Sequence, residues 1–474
     1  MQQNKLIKLL AALDKEEVRA FDKYIRALYG KYDLAMALFR YLKAKHPALD
    51  GPALRKETVL RKVLPGVADN NEKRLLNESS RLYKWLEEFL MLEKLRERDN
   101  PTRERLMVEV FKERQLSHLF YLKVQAAVNA FEQKPTADIW AIADALYMQH
   151  LWYYYTDPNE GLHTQGRNIL QGLMETADSL FMAAKLQYGA ELVNRGNLLQ
   201  ETDTPRLWQE VMHEIGQRPE NHSLLLQAFF LAVQLLEKKG LPQYQALDAF
   251  FSEHHHAFSP EARQILHGYL INHAARRIKE NDYAWADALF KLYEFEMSNQ
   301  ISFEQGLVSS IRFLNIVNLA CHLKKLDWAE AFVEKWHGHL RPSPDDETYK
   351  VATALILFER KAFGSVRKLL SSLRSLDPFL ESRMRTLLIM AMVEEGEDAD
   401  AVLQHCSNFK EYLGRNKVMG RDTAGGFKNF VLALMAYMRD SVEPEKLAEE
   451  VRAQQPIYCK TWLLQKIGAG EVAP

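Results

Sequence analysis

Residues 323–336 read LKKLDWAEAFVEKW. An aspartate and a tryptophan stand directly before an alanine-rich apolar pattern, with no glycine or proline in the stretch. One hairpin of a stacked helical array would repeat this punctuation at a fixed distance, whereas a lone amphipathic helix would not. The repetition is there. Trp328 is followed 35 residues later by Phe363 in KAFGSVRKLL, and after another 35 by Asp398 in GEDADAVLQHC. Three places beyond each lies a small or β-branched residue: Ala331, Val366 and Ala401. A small side chain there is expected to let the two helices of a hairpin approach closely. Upstream, KENDYAWADALFKLYEF (279–295) repeats the theme, with Tyr283 in the place of Trp328, Ala286 in that of Ala331, and Phe290 as a large locking residue. KKGLPQYQALDAFFSEH (238–254) has the same turn-then-apolar layout. A period near 35 predicts antiparallel helix pairs stacked side by side.

The rest of the chain agrees with an all-α reading. Alternating runs of valine, isoleucine and threonine are missing, as are Asn-Gly or Asp-Gly hairpin turns between such runs. Of 474 residues, 47% are hydrophobic and 26% charged, enough for a large core. Lysine and arginine number 62 against 63 acidic residues, a net charge of -1, which gives no whole-chain attraction to nucleic acid or anionic lipid. Three widely spaced cysteines make no disulfide framework. The N-terminus, MQQNKLIKLLAALDKEE, meets acidic residues too soon for a signal peptide, and the most apolar run, 223–240, is too short to span a bilayer. A cytoplasmic location is expected.

Four regions are expected: an N-terminal helical domain (1–100), irregular helical hairpins (101–239), helical repeats (240–410), and a glycine-rich loop with C-terminal capping helices (411–474). In the first, Asp14 with Glu17 reads as a capping box, and Val18, Phe21, Tyr24, Ile25 and Leu28 share a face. A later helix presents Leu75, Leu76, Leu82, Trp85, Leu86, Phe89 and Leu90. Residues 1–100 hold 21 lysines and arginines against 15 acidic residues. That surplus keeps a nucleic-acid partner as the weaker alternative.

The segment 240–410 resembles tetratricopeptide-type repeats, in Asn281-Asp282-Tyr283, Ala286, Phe290, Gly396 with Ala401, and Pro378. The resemblance implies a right-handed array of helical hairpins, a TPR-like α-solenoid, following an N-terminal helical unit. It lacks the family's Trp-x-x-Leu-Gly opening of the first helix. LDKEEVRAFDKYIRALYGKYDLAMALFRYLKAKHP, with the later LPG and LLNESSRLYKWLEEFL, resembles the opening of uncharacterised helical proteins of Bacteroidota, which implies a bacterial origin and no mechanism.

Candidate chemistry is sparse. His254, His255 and His256 are adjacent, with His267 and His273 further on, and Glu253 beside them. Neighbours on a helix point about 100° apart, and neither HExxH nor paired-cysteine spacing is present, so no metal site is expected. Cys321-His322 and His405-Cys406 pair a nucleophile with a base in sequence, but adjacent helical side chains diverge. The cysteines are expected in helix contacts. The run Trp152, Tyr153, Tyr154, Tyr155 wraps a helical turn, so one or two should pack between hairpins. GRNKVMGRDTAGGFKNF (414–430) has four glycines and Arg415, Lys417, Arg421 and Lys428 against Asp422. It reads as an irregular connection with backbone N–H groups able to hold an anion, before a helix beginning near Phe427. No catalytic, cofactor or metal residue is assigned. The expected function is a non-catalytic scaffold or adaptor that binds a protein or peptide partner in a helical-repeat groove, with neither enzyme activity nor a membrane partner.

Overall fold

The computed structural model describes residues 4–30, 33–49, 51–63, 71–97, 101–133, 138–155, 162–199, 205–280, 282–304, 306–340, 345–375, 377–416 and 418–468. Regular structure among these is entirely helical. Two isolated β-bridges, Glu304 to Leu307 and Val308 to Leu340, build no sheet. No described helix is long and apolar enough to cross a membrane. The chain divides into two compact units, Met1–Lys134 with Trp140–Leu180, and Pro135–Ile139 with Phe181–Pro474.

The first unit begins with α1 (Lys5–Ala11), α2 (Lys15–Tyr29), α3 (Asp33–Lys43), α4 (Lys56–Val63) and α5 (Asn71–Arg96). The capping box is present: Asp14 Oδ1 accepts the N–H groups of Glu16 and Glu17 at 2.7 and 2.8 Å, and Glu17 accepts that of Asp14 at 2.7 Å. These two carboxylates satisfy donors that a helix start leaves orphaned. One core joins the five helices, with Leu10, Phe21, Ile25, Phe39, Leu82 and Leu86 almost fully enclosed. Two residues placed on the buried faces by periodicity are outside it: Leu28 is 59% exposed and Leu76 45%. Leu76 lies at the margin of its apolar stripe, whereas Leu28 lies within its stripe but in the last turn of α2.

Further along are α6 (Pro101–Glu113), α7 (Ser117–Gln133), α8 (Ile139–Tyr155) and α9 (Leu162–Leu199). Val108, Phe120, Val124, Val128, Met148 and Leu151 form a separate small core from α6, α7 and α8. Trp152 packs against it, while Tyr154 and Tyr155 are exposed, as a helix wrapped by four aromatics requires.

The second unit continues with α10 (Trp208–Gln217), α11 (Leu224–Lys238), α12 (Leu241–His254), α13 (Pro260–Lys279), α14 (Trp285–Ser298), α15 (Ser310–His322) and α16 (Leu326–Trp336). It ends with α17 (Asp345–Glu359), α18 (Phe363–Leu370), α19 (Pro378–Glu394), α20 (Ala399–Arg415), α21 (Arg421–Met438), α22 (Pro444–Ala453) and α23 (Lys460–Lys466). From α10 on, each helix packs on the next, and α11 also meets α13, α15 meets α17, α17 meets α19 and α21 meets α23. The odd-numbered helices therefore carry more neighbours, and their composition matches. α11 buries nine of its side chains, from Leu225 to Leu236, whereas α16 buries only Ala329, Phe332 and Val333 and α18 only Val366 and Leu370. A broadly apolar helix is covered on several sides; a narrow stripe is covered on one.

The hairpin turns explain the opening stretch. Lys324 has φ 58°, in the left-handed region, and the Lys325 N–H reaches back to the Ala320 carbonyl at 2.9 Å. The same closure recurs with Lys361 (φ 60°) and Ala362 to Leu357 at 2.9 Å, with Gly396 (φ 72°) and Glu397 to Met392 at 3.1 Å, and with Asp440 (φ 49°) and Ser441 to Ala436 at 3.2 Å. These are Schellman closures of the odd-numbered helices, which satisfy their last carbonyls and turn the chain back. Lysine and aspartate fill positions where glycine is usual, so the punctuation was hidden from a search for glycine.

Four residues after the closing N–H of Asp282, Lys325 and Ala362 come Ala286, Ala329 and Val366, all buried. Ala329, not Ala331, is thus the small residue of α16 at the helix contact; Ala331 faces solvent. In α20 the buried residue is Val402, and Ala401 is half-buried. The 35-residue comparison was in register for Val366 and displaced for the other two, because the hairpins differ in length.

Candidate functional site

The stretch 414–430 does not form an open glycine loop. α20 runs to Arg415 and α21 starts at Arg421, ahead of the expected Phe427, leaving a short connection centred on Val418 and Met419. Its paired glycines lie inside α21 and receive the chain before α23. A Cβ on Gly426 would stand 2.8 Å from the Tyr458 ring, and the Gly426 carbonyl accepts the Tyr458 N–H at 3.2 Å. Tyr458 stacks on Phe427 with centroids 4.1 Å apart. Gly426 permits this close packing, whereas a Cβ on Gly425 would meet Pro456 only at an ordinary 3.9 Å.

The histidines separate. His255 and His256 form a short 3-10 turn after α12, and His254 stands 3.8 Å from Glu253. His267 is buried on α13, its Nε2 donating to the Leu292 carbonyl at 3.2 Å. Burial lowers its pKa to about 4, reinforced by Arg312. His273 is buried between Tyr244 and Trp285, at ring distances of 5.7 and 5.0 Å. No group of three or more metal-binding side chains converges among the described residues. Cys321 and Cys406 are buried, and burial pushes each thiol up to about 12, so neither is a ready nucleophile. Cys406 belongs to the core of the last five helices. His322 lies exposed near the Tyr283 ring, at 6.2 Å.

What the sequence reading missed is a polar seam running from α14 and α15 to α19. Arg312 on α15 holds the Glu296 carboxylate of α14 at 3.3 Å and lies over the Tyr293 ring, 5.4 Å from its centroid. Glu296 is 1% exposed, and burial raises its pKa against the pull of Arg312. One turn beyond Arg312, Asn315 accepts a hydrogen bond at 2.8 Å from Arg383 Nη2 of α19. The Arg383 guanidinium lies 4.6 Å from the Phe379 ring centroid. Burial lowers its pKa, while Tyr458, Cys459 and Tyr293 favour its charge.

Among the described residues no carboxylate pairs with Arg383; its side-chain acceptor is a neutral amide. Arg383 is half-buried on α19, with Asn315 as its described side-chain acceptor. Its surroundings are aromatic, with Phe379 on its own helix and Tyr293 and Tyr458 nearby. The seam offers recognition groups and no nucleophile–base pair. No sequence motif could have announced it, because Arg312 and Arg383 belong to different helix pairs.

In the first unit six of the basic side chains are paired with acids. Arg26 and Lys43 both reach Asp22, at 2.8 and 2.6 Å, and Lys56, Arg81, Lys94 and Arg96 each face a glutamate.

Compared with protein-family models, with curated proteins and with solved structures, the chain returns no match.

Proposed function

We propose that the second unit is a TPR-like α-solenoid and that the protein is a scaffold or adaptor, taking a segment of a partner protein along its odd-numbered helices. The observation that carries this reading is Arg383, a half-buried guanidinium with one amide acceptor and aromatic neighbours. Partner surfaces that use few strong anchors favour arginine and aromatic residues in such settings. A carboxylate side chain or C-terminus of the partner would take the unused guanidinium donors, and Arg312 and Asn315 would flank it. The two-layer order of helices supports the reading, since stacked hairpins expose one helix of each pair along a common face.

The test is affinity capture from a native lysate with the tagged full-length chain and its Arg383→Gln variant, each with and without nuclease. The expected result is one protein retained by the wild type in both halves and lost with Arg383→Gln. Equal retention by the variant would overturn the assignment to the seam. Retention abolished by nuclease would transfer the reading to nucleic acid.

A further inference from the structure

A second feature lies away from the seam, between α18, α19 and α20. A cleft of about 440 Å³ opens there, with one charged wall and one apolar wall of Leu370, Leu373, Met384, Leu388 and Met392. Its cations are Arg367, Lys368, Arg374 and Arg385; its carboxylates are Glu381 and Glu395. Two of the cations are engaged. Arg385 lies along Glu381, with Nε and Nη2 each 2.7 Å from Oε1, and Arg367 reaches Glu395 at 2.7 Å and also Glu397, which stands outside the cleft lining. The other two have no carboxylate among the described residues. Arg374 donates to the backbone carbonyls of Ser371 and Leu373, and Lys368 stands exposed. With Glu397 counted, four cations meet three carboxylates, so the cluster keeps one net positive charge, and Lys368 and Arg374 have no acid of their own.

We propose that this cleft binds a phosphate monoester dianion, its oxygens taken by Lys368 and Arg374 beside the paired guanidinium of Arg367, and its organic body lying on the leucine and methionine wall. A monoester carries nearly two negative charges at neutral pH and three strong acceptor oxygens, which suits two cations, Lys368 and Arg374, that lack a carboxylate. Guanidinium groups present paired N–H donors that suit phosphate oxygens, and the volume is in the range of small-ligand sites. Arg367 stays paired to its glutamates and contributes field, while Arg374 can exchange weak backbone contacts for the ligand. The chemistry is shared by a small phosphorylated metabolite and by a phosphoserine in a partner protein.

His405 lines the same cleft and provides a reporter. Its pKa is lowered, first by partial burial and then by the guanidiniums of Arg385, Arg367 and Arg374. A bound dianion cancels part of that field, so the imidazole must titrate at higher pH when the site is occupied.

The experiment uses the full chain, calorimetry, and a proton NMR titration of His405, whose signal is assigned by its loss in His405→Gln. Phenyl phosphate is the small-ester probe, and a phosphoserine peptide with its unphosphorylated twin is the protein probe. The expected result is one saturable phenyl phosphate site, a rise in the His405 midpoint, and affinity reduced about tenfold or more in Lys368→Gln/Arg374→Gln. Both replaced side chains are exposed, so melting should be unchanged. Tighter binding of the phosphopeptide than of phenyl phosphate would assign the ester to a partner protein; equal or weaker binding would assign it to a metabolite. No heat and no His405 shift with either probe, or full affinity in the double variant, would overturn the proposal. Arg383→Gln should leave this binding intact, which keeps the site separate from the groove reading.

Discussion

The Trp328 indole meets the Phe290 ring with centroids 4.7 Å apart, joining α16 to α14. The same indole stacks on Phe332 of its own helix at 5.1 Å, and Phe332 reaches Phe313 of α15 at the same distance. One side chain from the opening stretch therefore links two successive hairpins. Trp328→Ala should lower the stability of the second unit by about 2–3 kcal/mol, less than for a fully enclosed tryptophan because Trp328 is half-buried. Urea unfolding measures this, and a change below about 0.5 kcal/mol would show that the contact holds nothing together.

Lys361 occupies a left-handed position that costs a residue with a Cβ about 1 kcal/mol. No ion pair of Lys361 is seen among the described residues that would offset this. Lys361→Gly should therefore stabilise the protein by about 0.5 kcal/mol, after subtracting the greater freedom of glycine in the unfolded chain. A fall in the urea midpoint would mean that the lysine stem packs usefully in the turn.

Gly426 tests the opposite logic. It lies inside a helix, where alanine is ordinarily better by up to about 1 kcal/mol. Here the new methyl would press on Tyr458, which the stack on Phe427 keeps from moving away. Gly426→Ala should destabilise by about 1–3 kcal/mol, and the same change in a Tyr458→Ala background should show a smaller loss. Equal losses in both backgrounds would refute the role given to Tyr458.

His267 makes the second unit acid-sensitive. The imidazole is held neutral in the fold, with its pKa lowered from 6.5 to about 4 by burial and Arg312. The unfolded chain binds the extra proton between those values, so the native state is fully favoured above pH 6.5. That advantage falls as the pH drops, reaching about 3 kcal/mol of loss near pH 4. Unfolding free energies at pH 7.5, 6 and 5 should decline along this curve, and His267→Gln should flatten it. An unchanged slope in the variant would assign the pH dependence to other groups.

Local chemistry was legible in the chain itself. The Asp14–Glu17 box, the apolar faces of α2 and α5, and the helical character throughout follow from hydrogen-bonding groups and side-chain periods within a few residues of one another. The recurrence behind LKKLDWAEAFVEKW was visible as well, although its register was blurred. Hairpins of unequal length shift the buried small residue from Ala331 to Ala329, and lysine at a left-handed turn removes the glycine that would have marked it.

Other features needed the folded molecule. Gly426 looked like a loop residue because glycine alone does not say whether it supplies freedom or space, and only the arrival of Tyr458 decides for space. Arg383 and Asn315 are 68 positions apart, and Arg374 follows α18 while His405 lies on α20. In a predominantly helical sequence with mixed charge, any arginine reads as a solvated face. Sequence determined which residues could form helices and which faces were apolar, because those depend on near neighbours. The tertiary structure decided which cations meet an acid and which do not, because burial and pairing are set by which helices come together.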